Sequence, residues 1–251
     1  MNKLYRILVA SLLLISTSVF ADSCDSMVPY GEPLVLVDNS TRLCRTAYMV
    51  IHDNTRKIPI ITSQKFTPEN FSHDVGRHNK FIPDPDLSTA DRSVLSDYSS
   101  ARKMYDRGHL VPFEDINFNK KSAEESFYLS NIAPQISKMN RGVWKSIESK
   151  VRKYAKKSVD KNEEVFVITG TVVTSGMTIG VNQVSVPDYF YKIVINKTTS
   201  QIIGFLVKND SSKSLGWRKY QVPVEEITKL TGIDYTPQFT NSGQKFGLLK
   251  L

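Results

Sequence analysis

The sequence predicts an α+β fold, with a mixed, mostly antiparallel β-sheet as its core and helices packed on it. Short runs rich in Val, Ile, Tyr and Phe recur along the chain and end in turn residues such as Asn196-Lys197, a pattern typical of strands. One other segment repeats apolar residues at helical spacing, and a second is bounded by residues that start and stop helices. The chain has 251 residues and no internal repeat, so we expect one sizeable core.

Six runs are predicted as strands because they combine β-branched and aromatic residues between turn signals. They are Pro33 to Val37, Ala47 to His52, Lys57 to Thr62, Val165 to Gly170, Phe190 to Ile195 and Gln201 to Val207. The stretch from Phe66 to Ser100 is instead polar and rich in Pro, Asp and Ser. We expect it to form a long excursion over the surface rather than part of the core.

Two segments are predicted as helices. The longer runs from Val143 to Lys157, and its apolar residues at helical spacing are Trp144, Ile147, Val151 and Tyr154. The shorter runs from Val224 to Leu230, because it follows Pro223 and stops before Gly232.

The first 21 residues are predicted to be a signal peptide. A positive start with Lys3 and Arg6 precedes an apolar run from Leu8 to Leu14, and Val19-Phe20-Ala21 places small residues before the expected cleavage after Ala21. The apolar run is too short to span a bilayer comfortably. We therefore expect an exported protein, periplasmic or extracellular and without stable membrane association, whose single domain covers residues 22–251.

The charge balance favours a polyanionic partner. The chain carries 33 basic and 25 acidic residues, a formal net charge of +8, and loss of Lys3 and Arg6 with the signal peptide would leave +6. A basic surface suits nucleic acid or an anionic membrane.

Both cysteines, Cys24 and Cys44, lie near the start of the expected exported chain. An even pair in an oxidising compartment predicts one disulfide that ties down this end. A metal site built from cysteines would need a second pair, which the sequence lacks.

The residues best suited to catalysis lie between Tyr105 and Glu148. Hydrolysis of a phosphodiester needs a base that activates water, a cation that stabilises developing charge, and donors that hold the phosphate. His109 suits the base because an imidazole titrates near neutral pH. Arg107 would share its face of an extended strand and fits phosphate oxygens, and Gly108 between them would let the backbone approach a ligand.

Asn140 and Glu148 offer the hard oxygen ligands that Mg²⁺ prefers. If Asn140 begins the helix, eight residues place Glu148 about 80° around the axis and about 12 Å along it. That separation is too large for both side chains to bind one ion directly, so Glu148 is expected to act through a metal-bound water or through its neighbours in the first turn of the helix.

Each of these residues also has a purely structural interpretation. His109 could be a satisfied structural histidine, Asn131 could cap a turn, and Asn140 could cap the helix N-terminus. Glu148 could pair with Arg152 one helical turn later. The order and spacing of the whole set favour a functional site.

The run Asp106-Arg107-Gly108-His109, followed by Pro112, resembles the DRGH signature of the DNA/RNA non-specific endonucleases, the ββα-metal (His-Me finger) group that includes mitochondrial endonuclease G. Downstream residues follow the pattern of that family in order and are Ser130-Asn131, Pro134-Gln135, Asn140, Gly142, Trp144 and Glu148. The resemblance implies a β-ribbon that carries the base, followed by a helix that carries the metal ligand.

The resemblance also assigns the base and the metal ligands. It implies that His109 is the general base and that Asn140 is the direct ligand of Mg²⁺, for which Mn²⁺ could substitute. Glu148 would orient water on that ion.

Further residues are assigned to the phosphate. Arg107 would contact it or help to place the leaving group, and Asn131 would support the scissile phosphate. The upstream arginine of the family corresponds to Arg77, with Arg92 and Arg102 as competitors. The resemblance further implies cleavage that leaves 5′-phosphate ends.

Together these observations predict a secreted, Mg²⁺-dependent endonuclease that cuts DNA and RNA with little regard for sequence. The alternative is an exported basic protein that binds nucleic acid without cutting it, which would have no need of His109, Asn140 and Glu148 together. A phosphatase for small substrates would be expected to show richer Asp and His clusters. Dimerisation occurs in the family, so a homodimer is a further expectation, whereas an inhibitor protein has no signature in the sequence.

Overall fold

The computed structural model of the protein describes residues 24–30, 38–213, 215–236 and 247–251. The predicted signal peptide with its cleavage site after Ala21, and the predicted strand Pro33 to Val37, lie outside the described residues. Within the described ranges, no helix has the length and apolar character needed to cross a bilayer.

The predicted α+β fold, with its mostly antiparallel sheet, is confirmed. The strands are β1 Ser40–Cys44, β2 Met49–Asp53, β3 Ile58–Phe66, β4 Tyr105–His109, β5 Ile132–Ile136, β6 Val165–Val172, β7 Thr178–Ile179, β8 Val184–Ser185, β9 Tyr189–Asn196, β10 Gln201–Lys208, β11 Gln221–Val222 and β12 Gly247–Leu248. The α-helices are α1 Leu95–Ser99, α2 Phe113–Ile116, α3 Lys120–Glu125, α4 Ser137–Met139, α5 Lys145–Val159 and α6 Val224–Thr231.

A large sheet forms the centre of the molecule. Its strand order is β1-β2-β3-β6-β9-β10-β11, with every neighbouring pair antiparallel, and β12 adds a parallel pairing to β10. Helix α5 packs on one face, whereas α6 and Tyr235 pack on the other. Every residue of β6 is therefore buried, which explains why the strand begins with four consecutive apolar residues, Val165 to Ile168, rather than with an alternating pattern.

The segment between β3 and β4 differs from the expected surface excursion. It contributes buried apolar residues to the interior, namely Phe81, Leu87 and Tyr98. Asp84 in the same segment is also fully buried, and both of its carboxylate oxygens accept from Arg45, at 2.6 and 2.7 Å, while the Ser130 hydroxyl donates to it as well. The expectation holds for residues 72–80, which are all exposed. It is wrong for these buried residues, because Asp84 finds partners inside the protein instead of water and the apolar residues join the core.

A separate ribbon and the helical segment that follows it carry the candidate site. β4 pairs with β5 in antiparallel register, with His109 opposite Ile132. The chain enters α4 directly after β5. This is the β-ribbon followed by a helix that the resemblance implied.

The helical segment begins earlier than the predicted Val143 and contains an irregular turn. α4 leads into a π-helical turn, Asn140–Trp144, and then into α5. Asn140 has helical backbone angles (φ −56°, ψ −54°), which excludes the N-cap interpretation because an N-cap residue is extended. Gly142 departs from helical angles (φ −98°, ψ −105°), so the regular-helix estimate of the separation between Asn140 and Glu148 does not apply.

Candidate active site

A cavity of about 580 Å³ lies between the β4–β5 ribbon and the helical segment. Five of the residues singled out in the sequence line it, and they are Arg77, Arg107, His109, Asn140 and Glu148. Other cationic residues in its wall are Arg141, Lys145 and Arg152, and the other carboxylates are Asp106 and Glu114. The wall thus carries more positive than negative groups, which suits a polyanionic ligand.

His109 is held at this cavity by aromatic rings. Its ring lies 5.4 Å from that of Phe81 and 5.5 Å from that of Phe127. Nε2 is buried without a hydrogen-bond partner, which leaves Nδ1 as the ring nitrogen that reaches the cavity. Burial, reinforced by the positive charges of Arg77 and Arg107, lowers the pKa of His109 to about 3. The imidazole is therefore neutral at neutral pH and able to accept a proton.

Arg107 lies on the same side of β4 as His109, as the period of an extended strand predicts. Its guanidinium carbon is 4.1 Å from the centre of the Phe81 ring. Burial and the neighbouring charge of Arg102 lower the pKa of Arg107. In the part of the chain that the structure describes, this guanidinium makes no ion pair, so it is available to an anion.

The structure separates the three candidates for the upstream arginine. Arg77 lines the cavity, donates to Asn79 Oδ1 at 2.7 Å and packs over the Phe113 ring. Arg92 instead donates to the backbone carbonyl of Asp84 at 2.7 Å and is absent from the wall of the described cavity. Arg102 lines a neighbouring cavity.

Asn140 is oriented by a carboxylate. Its Nδ2 donates to Asp106 Oδ2 at 2.9 Å. A carboxylate only accepts hydrogen bonds, so this contact fixes which end of the amide faces Asp106. The carbonyl oxygen Oδ1 is left to the cavity that Asn140 lines.

Asp106 itself is held by several donors. Arg141 binds it in a bidentate manner, with Nε to Oδ2 at 2.8 Å and NH2 to Oδ1 at 2.6 Å, and the Ser137 hydroxyl donates at 2.9 Å. Burial opposes ionisation, but the hydrogen bonds from Arg141, Asn140 and Ser137 lower the pKa of Asp106. A charged carboxylate that accepts four hydrogen bonds is a rigid support for the amide of Asn140.

Glu148 lies in a partly buried, charged environment. Burial raises its pKa, while Lys192 and Arg152 favour its ionised form. Lys192 is 1% exposed, donates to Thr169 Oγ1 at 2.5 Å and lies over the Trp144 ring. Arg152 donates to Asp115 Oδ1 at 2.5 Å and not to Glu148, so the surface pair considered from the sequence is not formed.

Asn131 occupies a different place from the one expected. It is fully buried, its Oδ1 accepts from Val111 N at 3.0 Å, and its Nδ2 donates to the carbonyls of Val111 and Ser126, both at 3.0 Å. All of its amide groups are thus bonded to backbone. In this structure Asn131 fixes the chain that leaves β4 after His109, and its amide has no group left for a phosphate.

Gly108 also differs from its expected role. A Cβ built at this position would lie 2.1 Å from Gln135 Cδ. The space beside Gly108 is filled by the side chain of Gln135 on the paired strand, not by a ligand. The glycine is required for close packing within the ribbon.

The donors present fit Mg²⁺. Among the described residues, no group of three His, Cys, Asp or Glu side chains comes together to hold a metal, so a site for a soft or imidazole-bound metal is not built there. Asn140, which has an amide oxygen, and Glu148, which has a carboxylate, both line the cavity. Few hard oxygen ligands, completed by water, are the set that Mg²⁺ takes.

Several residues of the site were not assigned a role from the sequence. Asp106 was noted only as part of the DRGH run, and Arg141 and Lys192 not at all. The position of Lys192 between apolar residues of β9 was the available signal, because a lysine in a strand buried on both faces is rare unless it is paired.

Comparison with known proteins identifies similar chains. The family described as DNA/RNA non-specific endonuclease matches residues 33–241. Human "Nuclease EXOG, mitochondrial" is 27% identical over 230 residues, which cover 83% of this chain and 59% of that protein. "Nuclease C1" of Cunninghamella echinulata is 31% identical over 185 residues, covering 68% of this chain and 70% of that protein. The chain thus spans about three fifths of the EXOG protein.

The fold has a solved counterpart. A chain in the crystal structure of the EndoG/EndoGI complex superposes with a TM-score of 0.71 at 25% identity, covering 83% of this chain and 89% of that one. That crystal structure addresses the mechanism of EndoG inhibition. The similarity extends over most of this chain and therefore concerns the fold as a whole rather than a single motif.

Proposed function

The chain belongs to the DNA/RNA non-specific endonuclease family, and from that premise we propose that it is a Mg²⁺-dependent endonuclease that hydrolyses phosphodiester bonds of DNA and RNA without sequence specificity. The observation that carries the proposal is the meeting of His109, Arg107 and Asn140 in one basic cavity. A cavity of this charge favours the phosphate backbone, which is common to both nucleic acids.

His109 acts as the general base. Its neutral ring presents Nδ1 to the cavity, where it takes the proton of a water molecule as the water oxygen attacks phosphorus. The phosphorus–oxygen bond to the leaving group then breaks, and the leaving oxygen keeps the electron pair and takes a proton from solvent water. A bound phosphate opposite Arg77 and Arg107 offsets the two positive charges that depress the pKa of His109, which makes the ring a better base when substrate is present.

Arg107 and Arg77 hold the scissile phosphate. Each guanidinium is packed against an aromatic ring, Phe81 for Arg107 and Phe113 for Arg77, so each is restricted before substrate arrives. Preorganised donors stabilise the charge that develops on the phosphate oxygens. Asn131 contributes indirectly, because it fixes the backbone after His109.

Asn140 and Glu148 would hold the Mg²⁺. Asp106 turns the Asn140 carbonyl oxygen toward the cavity, and Glu148 faces the same space from α5. When bound, Mg²⁺ would supply positive charge to the phosphate and to the leaving oxygen. Mn²⁺, which takes similar ligands, is expected to substitute.

Export is part of the proposal. It rests on the N-terminal sequence pattern of residues 1–21 and on the disulfide between Cys24 and Cys44, since disulfides persist in oxidising compartments. The named relatives EXOG and endonuclease G are mitochondrial, so fractionation of producing cells distinguishes export from an internal location.

The test is degradation of plasmid DNA and of total RNA by the purified protein with Mg²⁺ or with EDTA. Loss of both substrates with Mg²⁺, abolished by EDTA and by His109→Ala, is expected. His73→Ala is the matched control, because His73 is exposed and outside the cavity wall. Retarded but intact nucleic acid, unchanged by His109→Ala, would establish a binding protein instead.

A further inference from the structure

A second cavity of about 290 Å³ adjoins the candidate active site. Asp106, Arg107 and Arg141 line both cavities, so these residues form the wall between them. Tyr98, Arg102 and Tyr105 line the second cavity but not the first.

The charge of this second cavity is positive and uncompensated. Its one carboxylate, Asp106, is already bound by Arg141 through two hydrogen bonds of 2.6 and 2.8 Å. Arg102 and Arg107 make no ion pair in the described part of the chain. They are close enough that the charge of Arg102 lowers the pKa of Arg107, in addition to the effect of burial. Two neighbouring cations without a counter-ion favour an anion between or beside them.

A structural role does not account for Arg102. It is exposed, it packs on no described aromatic ring, and no described carboxylate pairs with it. Arg92, in contrast, holds the backbone of its own loop. Arg102 is therefore placed to contact a ligand rather than to stabilise the fold.

We propose that the second cavity is a subsite for the phosphate that neighbours the scissile phosphate, with Arg102 as its principal ligand. Arg107 stands between the two cavities, so a nucleic-acid strand that places one phosphate against Arg107 and His109 places an adjacent phosphate against Arg102. The inference rests on the proposed function and refines it: the enzyme selects a polynucleotide strand over a small diester with a single phosphate.

The experiment measures binding without catalysis. Fluorescence anisotropy of labelled single-stranded (dT)12 is recorded in EDTA over a series of salt concentrations for the wild type, Arg102→Ala and Lys103→Ala. Lys103 is the adjacent exposed residue and lines neither cavity, so its variant loses the same charge without the contact. Arg102→Ala should bind roughly ten-fold more weakly, and its salt slope should fall by about 0.7, the value for one phosphate contact on a single strand.

The same variants are then compared in cleavage with Mg²⁺. Arg102→Ala should lose about the same ten-fold in kcat/KM on (dT)12 and stay within about two-fold of the wild type on the dinucleotide TpT, which has one phosphodiester. Equal losses of (dT)12 binding in Arg102→Ala and Lys103→Ala, or an unchanged salt slope in Arg102→Ala, would overturn the subsite. A wild type that binds (dT)12 but never cleaves it would overturn the proposed function and leave the subsite standing.

Discussion

The side-chain nitrogen of Asn140 donates a 2.9 Å hydrogen bond to Oδ2 of Asp106, across 34 residues of chain. This contact joins the strand that carries the proposed base to the helical segment that carries the proposed metal ligand. Because Arg141 and Ser137 hold the same carboxylate, the orientation of the Asn140 amide is decided before any metal binds.

Replacement of Asp106 should therefore weaken the metal site. Asp106→Ala frees the amide of Asn140 to rotate, and loss of such a supporting contact typically lowers metal affinity by about 10- to 100-fold. The Mg²⁺ concentration for half-maximal cleavage should rise by that factor. Asp160→Ala, which removes a surface carboxylate paired with Lys156, is the control, and an Asp106→Ala protein with the Mg²⁺ dependence of the wild type would refute the role.

Arg77 and Arg92 should behave differently when each is truncated. Arg77→Ala removes a proposed phosphate donor from the cavity, so kcat/KM on DNA should fall by about ten-fold or more with little change in Tm. Arg92→Ala removes donors to backbone carbonyls of its loop, so Tm should fall while kcat/KM is kept. The reverse pattern would identify Arg92, rather than Arg77, as the residue that corresponds to the upstream arginine of the family.

His109 should remain neutral at pH values well below the ordinary pKa of histidine. Its folded pKa of about 3 lies below the unfolded value near 6.5, so the unfolded chain binds more protons between these limits. The contribution of His109 to stability is therefore present above about pH 6.5 and is lost as the pH falls toward 3. The ring Cε1 resonance, followed by NMR between pH 5 and 8 at moderate ionic strength, should not titrate.

The assignment of that resonance comes from its loss in His109→Asn. His52, which is fully buried with Nε2 3.0 Å from the Asp91 carbonyl, also has a pKa lowered by burial, so its resonance should titrate at lower pH than that of an exposed histidine. A midpoint near 6.5 for His109 would contradict its burial between Phe81 and Phe127.

Gly108→Ala should destabilise the protein. The added Cβ would lie 2.1 Å from Gln135 Cδ, and overpacking of this kind typically costs about 1–3 kcal/mol. The free energy of unfolding in urea provides the measurement. Gln135→Ala in the same chain should recover part of the loss, and Gly247→Ala, whose Cβ meets only ordinary contacts, should be close to neutral.

The disulfide between Cys24 and Cys44, predicted from the sequence, is present in the structure. It closes a loop with a sequence separation of 20, for which the chain-entropy relation gives about 3 kcal/mol. The Cys24→Ala, Cys44→Ala double variant should lose roughly that much stability in urea and keep its kcat/KM, because neither cysteine lines the cavity. Equal stability of the two proteins would show that the bond contributes nothing.

Much of the sheet could be predicted from the sequence because its strands are buried on both faces. Val165 to Gly170 was predicted and the strand runs Val165–Val172, because four consecutive apolar residues at its start indicate burial on both faces. β1, Ser40–Cys44, was not predicted because this edge strand is only partly buried and its residues carry no apolar pattern.

Most residues of the site could be predicted from the sequence, but the contacts between them could not. His109, Arg107 and Asn140 were found because their types and spacing match a chemistry. The bond from Asn140 to Asp106 depends on tertiary geometry, and so does the enclosure of Asn131 by backbone groups. The spacing of apolar residues does not indicate the π-helical turn at Asn140–Trp144, and Gly142 is its one marker in the sequence. A regular helix was predicted for that reason.

Because the segment contains a π-helical turn, the site depends more on the number of residues between Asn140 and Glu148 than on their identity. Each residue of a helix turns the chain by about 100°, so a one-residue deletion between these positions would rotate Asn140 away from Asp106 even if every remaining side chain were unchanged. Substitutions at the exposed Arg141 and Gly142 leave that spacing intact. During divergence, the length of this stretch is therefore expected to stay fixed, while Arg141 is constrained separately because its guanidinium holds Asp106.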